Sequence, residues 1–200
     1  MNSPKSNVYK QGYQVCHLGF GISPEKQLPT LAKNRGMEVS LIGKMQDIIY
    51  CKGANRFPGV DTEQVMKDII QEMDRVKKGV IAATVQETDL AGHAQNPVRY
   101  ANRIEMVDQY LLEIIRKMTD QDLLMISADH GNDPTIGHNQ HTREKTYLLA
   151  YHKKLSPVNI GERKTLSDIA ATSADYLGIR NTENGSSFLH LMQKGKEETD

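Results

Sequence analysis

Residues 79–85, GVIAATV, form an unbroken apolar run set between two long segments of helical period. A strand with no polar alternation is expected where both faces are covered, as in a parallel sheet with helices packed on each side. Before the run, Val65, Ile69, Met73 and Val76 recur at helical spacing in residues 61–78, behind Asp61 as N-cap. After it, Asn96 caps a second helix with Pro97 at its first position, and Ile104, Val107, Leu111, Ile114 and Met118 line one face. Residues 37–43, 122–128 and 145–151 read as further strands, and residues 50–60 as a loop rich in Gly and Pro. A short helix is expected over 23–36, with Ser23 as cap, Pro24 first, Gly36 as stop and Pro29 as an internal break. Another is expected over 165–178, between Thr165 and Gly178. Strands alternating with helices predict an α/β layered fold with a mostly parallel central sheet flanked by helices.

Residues 1–23 have no clear period and read as an irregular lead-in, residues 24–192 as the core, and residues 193–200 as a polar tail. No internal repeat is present. Charge is balanced, 25 basic residues against 25 acidic, so no broad field steers nucleic acid or anionic lipid, and neither is an expected partner. Two cysteines, Cys16 and Cys51, without a CxxC spacing, argue against a disulfide framework or a structural zinc cluster and predict a reducing, cytoplasmic setting. The apolar stretches are too short to span a bilayer.

In open parallel sheets, ligands bind beyond the carboxyl ends of the strands. Three expected strands end in chemically unusual residues: Lys44 after the first, ETDLAGH (87–93) after the second, and DHGND (129–133) after the third. Asp129, His130 and His141 lie on one loop, and Asp89 and His93 are expected on another, so five potential ligands converge at one edge. Mixed carboxylate and imidazole donors suit zinc or manganese, and paired metal ions are a common device for phosphoryl transfer. Gly92 and Gly131 are expected to let the backbone pass close to the ions. His17, His152 and His190 read as solvated or locally bonded, and His138 as a ligand or a loop-shaping residue. Asp133, followed by Pro134, reads as a turn former, Arg143 and Glu144 as an exposed ion pair, and the methionines as core filling.

SADHGNDPTIGHNQHTRE (127–144) resembles the C-terminal metal loop of phosphopentomutases, in the alkaline phosphatase superfamily. LIGKMQDI (41–48) is similar to that family's segment with a substrate-contacting lysine, DLAGH (89–93) to its Gly-His ligand loop, and SSFLHLM (186–192) to its closing segment. The similarity runs from about Glu25 to Met192 in matching order. It implies an alkaline-phosphatase-like fold, represented by a C-terminal part, and two manganese ions. Asp129 and His130 would bind one ion and His93 and His141 the other, with Lys44 meeting a sugar phosphate. An ungapped comparison from Val85 to His93 places the family's aspartate ligand at Thr88. Asp89 has the spacing to His93 found in the related cofactor-independent phosphoglycerate mutases, and is the expected ligand.

The resemblance implies phosphate transfer within a pentose phosphate. It also marks an absence: the family's early metal aspartate, its phosphorylated threonine or serine and most of its cap have no counterpart here, and Ser3, Ser6 and Ser23 read as loop or cap residues. The lone chain is therefore expected to be inactive as a mutase, and to dimerise or recruit an N-terminal partner chain. Alternatives are a phosphatase or phosphodiesterase in which metal-bound hydroxide attacks, and a non-catalytic metal-binding remnant or one half of a split protein.

Overall fold

Three parallel strands carry the layered arrangement that the apolar runs predict. The computed structural model describes residues 21–179 and 182–194, so most of the irregular lead-in and of the polar tail lies outside the described residues, as do His17, Cys16, Ser3 and Ser6. Strand β1 (Glu38–Ile42) is central, flanked by β2 (Asn55–Phe57) and β3 (Gly79–Ala83), and both neighbours run parallel to it. Helix α1 (Leu28–Asn34) packs on β1 and, across the same layer, on α6 (Ser167–Tyr176), and the short α2 (Met45–Ile48) follows β1. Helix α3 (Thr62–Arg75) covers the sheet through β1 and β3, and the 21-residue α5 (Pro97–Lys117) packs on α3.

Alternation along β1 feeds two differently built layers. Val39 and Leu41 join Leu28, Ala32, Met37, Cys51, Ala174 and Ile179 in one buried cluster. Ser40, one residue out of phase, is fully buried and meets the Glu72 carboxylate of α3, which Arg75 in turn grips at 2.9 Å through Nε. A second cluster, Met66, Ile114 and Met118 with Val107 and Leu111 against it, joins α3 to α5. The expected α5 face is thus correct except at Ile104, which is half exposed and stands outside that cluster. Burial of Met37, Met66 and Met118 agrees with their reading as core residues.

Local signals placed several boundaries well. Asp61 accepts from the Gln64 amide and Asn96 from the Arg99 amide, both at 2.9 Å, satisfying otherwise orphaned helix N–H groups. Gly178 ends α6 with φ +69°, a conformation that side chains disfavour. Other expectations need correction. Residues 50–60 are not all loop, because β2 forms within them by pairing with the edge of β1. The segment 23–36 splits at Gln27 into a 3-10 turn (Pro24–Lys26) and α1, with Pro29 in the first turn of α1 rather than breaking it, and Ser23 bonds Glu25 instead of capping. Strand β3 is half-buried along its length rather than fully buried: α1 and α3 both pack on it, but only β1 pairs with it among the described residues, leaving one edge open.

Chain direction reverses in the last strands. β4 (Leu124–Ser127) and β5 (Leu148–Tyr151) form a separate antiparallel pair, with Ser127 opposite Leu148, so residues 128–147 are one long excursion between two paired strand ends. An isolated antiparallel bridge, Gly131 to Thr142, pinches that excursion near its base. The last element among the described residues is α7 (Leu189–Lys194), and just before it Phe188 is fully buried beneath Arg163.

Candidate metal centre

ETDLAGH is a helix, not a loop: α4 spans Glu87–His93 directly after β3. Its start is pinned by Glu87, which is buried and accepts from both the Thr62 amide at 3.0 Å and the Thr62 hydroxyl at 2.9 Å. Arg99 and Arg103 of α5 reach the same carboxylate, at 3.2 and 3.3 Å. Burial pushes the Glu87 carboxyl up, but the Thr62 bonds and the two guanidiniums outweigh it and hold it below the ordinary range. Anchored in this way, α4 presents residues four apart on one face, and those residues are Asp89 and His93.

The pinched excursion supplies the rest. Asp89 Oδ1 lies 3.3 Å from Nε2 of both His93 and His141, and the two Nε2 atoms are 3.0 Å apart. One donor atom from each of the three residues falls within 4.8 Å of the others. His130 stacks on His141 with ring centroids 3.6 Å apart, and its Nε2 is 3.9 Å from Asp89 Oδ1 and 3.5 Å from Asp129 Oδ2. The Asp129 side chain is 67% exposed, whereas that of Asp89 is 24% exposed. Five residues expected from the sequence therefore meet, Asp89, His93 and His141 most closely, with Asp129 at the rim.

Tautomers follow from the partners. His93 Nδ1 lies 2.7 Å from the Asn139 carbonyl, and His130 Nδ1 lies 3.2 Å from the Gly131 carbonyl. A carbonyl only accepts, so each Nδ1 carries the proton, and in the neutral ring Nε2 is left with a lone pair aimed at Asp89. Two nitrogens and a carboxylate oxygen at such separations are held together by a proton or by a shared cation. The set mixes imidazoles, which suit borderline ions such as zinc, with a carboxylate, which suits harder ions such as manganese, and so fits a divalent ion of either kind.

Thr88 points elsewhere: its hydroxyl donates to the Val85 carbonyl at 3.2 Å, while Asp89 faces the histidines. The two glycines leave room for neighbouring groups. A Cβ at Gly92 would overlap the Asn132 amide, and one at Gly131 would crowd Glu144 and Thr142. Asn132 and Gln95, neither singled out by sequence reasoning, join α4 to the excursion; their only signal was position beside the ligand-type residues. Asn132 Nδ2 donates to Asp89 Oδ1 at 2.7 Å. Tyr100 is the third addition, its phenol raised above the ordinary value by burial and then by Tyr147, Asp89 and Asp133.

Asp133 builds a turn as expected, accepting from the Thr135 amide at 2.8 Å and hydroxyl at 2.7 Å, bonds that lower its carboxyl. His138 accepts from the Gln140 amide and shapes the loop outside the cluster. His152 accepts from the Lys154 amide through Nδ1 and meets Tyr176 with Nε2. Glu144 is held below its ordinary value chiefly by its Thr142 hydrogen bond, with Arg143 a minor influence. Lys44 follows Gly43, whose φ of +65° turns the chain out of β1, and lines a separate cleft of about 300 Å³ with Gln46, Pro58, Val60 and Gln86. Gln86 immediately precedes α4, so cleft and cluster occupy the same carboxyl edge of the sheet.

A family described as the Metalloenzyme superfamily matches residues 7–181. Among curated proteins, the phosphopentomutase of Alkaliphilus oremlandii is 37% identical over 167 residues, 82% of this chain and 43% of the relative. That of Alkaliphilus metalliredigens is 39% identical over 168 residues, again 82% and 43%, and that of Herpetosiphon aurantiacus is 36% identical over 180 residues, 87% and 46%. The chain spans less than half the length of these relatives.

Proposed function

The chain belongs to the Metalloenzyme superfamily, and from that premise we propose that it forms the metal-holding part of a phosphopentomutase-like phosphomutase, an isomerase that moves phosphate within a pentose phosphate. The observation that carries the reading is the convergence of Asp89, His93 and His141, with the Nε2 lone pair of His93 directed inward by its bond to Asn139. The similarity to phosphopentomutases supports the choice among phosphate-transfer chemistries.

In this reading Asp89, His93 and His141 hold one divalent ion, and Asp129 and His130 contribute to a second; manganese is the proposed metal and the cytoplasm the proposed setting. Bound divalent ions supply charge stabilisation for a transferring phosphoryl group. The residues of the chain do the rest. Asn139 and Gly131 carbonyls keep the imidazoles in the ligating tautomer, and Glu87 fixes α4 so that Asp89 and His93 face the excursion. Lys44 donates to the substrate phosphate from its cleft, a role suited to a compact, strongly donating cation. No hydroxyl nucleophile is assigned, so the lone chain is proposed to bind metal without completing mutase turnover, a partner being either an N-terminal chain or a second copy.

Calorimetric titration with manganese tests the reading, using the wild type, His93→Ala and His141→Ala. Binding of about one ion or more by the wild type, lost or weakened at least about tenfold in either variant, is expected. A folded wild type that binds neither manganese nor zinc would remove the metal reading.

A further inference from the structure

We propose that Asn132 is the positioning residue for Asp89, holding the carboxylate toward the histidine nitrogens before any cation arrives; the inference rests on the metal-binding reading above. Asn132 Nδ2 donates to Asp89 Oδ1 at 2.7 Å and to the Asp89 backbone carbonyl at 3.2 Å. An amide nitrogen carries two hydrogens, so both bonds form together and lock the aspartate side chain relative to its own main chain. The oxygen it holds is the one that lies 3.3 Å from both His93 and His141. A carboxylate oxygen accepting one N–H bond keeps further lone-pair capacity for an ion. Fixing its direction beforehand removes rotamer entropy that binding would otherwise cost.

Two independent features aim Asn132. Gly92 leaves the space its amide occupies, because a Cβ there would overlap it. Gln95 ties the loop down from the other side in a left-handed conformation, φ 51°, that a non-glycine residue seldom adopts. Its Nε2 lies 3.3 Å from the carbonyls of Gly92 and of Asp133, and its Oε1 accepts from the Gly137 amide at 2.8 Å. The helix carrying Asp89 and the loop carrying Asn132 are thereby held as one unit.

The test uses the full chain as wild type and Asn132→Ala, with three readouts: manganese affinity by calorimetry, the visible spectrum at saturating cobalt, and metal-free thermal unfolding. Expected for Asn132→Ala are an affinity about 10–100-fold weaker, a cobalt spectrum altered in band position or intensity, and a metal-free midpoint within about 4 °C of wild type. Unchanged affinity overturns the inference. So does a weaker affinity with a superimposable cobalt spectrum, which would mark a merely structural role. Should Asn132→Ala fail to fold, Asn132→Ser, whose hydroxyl is too short to span to Asp89, is read by the same criteria. A wild-type titration without binding overturns the metal reading itself, and only that failure leaves the wild type flat.

Discussion

Glu72 and Glu87 are buried carboxylates that link the stability of this chain to pH. The Arg75 hydrogen bonds, against an opposing effect of burial and with help from Ser40, hold Glu72 below its ordinary value. At Glu87 burial raises the carboxyl, but Thr62, Arg99 and Arg103 win. Both groups bind protons more weakly folded than unfolded. Their stabilisation is therefore complete above the unfolded value of about 4.3 and is lost as pH falls through the lowered folded values. Thermal midpoints should hold steady from about pH 7 to pH 5 and drop below about pH 4. Glu72→Gln should lower the neutral-pH stability by about 1–3 kcal/mol and flatten the acid limb, because its charge no longer titrates. An unchanged acid limb in that variant would reassign the pH dependence to other carboxylates. Residues of this kind were invisible beforehand: Glu72 sits in a polar stretch of an amphipathic helix, and only the approach of Ser40 from β1 buries it.

Helix ends show how much a short stretch can specify. Asp61 and Asn96 each cap through a local bond to a residue three positions on, so the signal and the contact are both contained in the sequence window. Asp61→Ala and Asn96→Ala should each cost about 1 kcal/mol in urea unfolding, with α3 and α5 otherwise intact. A loss under about 0.3 kcal/mol would show that tertiary packing alone sets those ends. The elements that were misjudged lack such closed local signals. β2 is three residues long and exists through its register with Ser40, Leu41 and Ile42. α4 contains Thr88 and Gly92, poor helix formers, and is held through Glu87 by Thr62, Arg99 and Arg103, each twelve or more residues away.

Across the molecule, unpaired strand edges and exposed apolar side chains remain. β3 and β4 each pair on one side only among the described residues, and Tyr147, just before β5, and Leu149 and Tyr151 within it are exposed at 57%, 59% and 40%. Such edges and faces favour association. Sedimentation at rising concentration is expected to show self-association of the isolated chain, weakened by Leu149→Lys, a charge on the exposed face. A monomer at every concentration would leave the proposed partner as a different chain or none.

The two long helices and their caps were legible in the sequence because each depends on contacts a few residues apart, and the alternation of apolar strands with those helices pointed to a parallel sheet whose pairing itself spans 15 to 41 residues. The same pattern placed Asp89, His93, Asp129, His130 and His141 as a group without saying how they face one another. Folding supplied that: the Asn139 contact that sets the His93 tautomer, the approach of His141 to His93 and the Asn132 amide on Asp89 all arise where segments about 40 to 50 residues apart meet. No local window contains those partners.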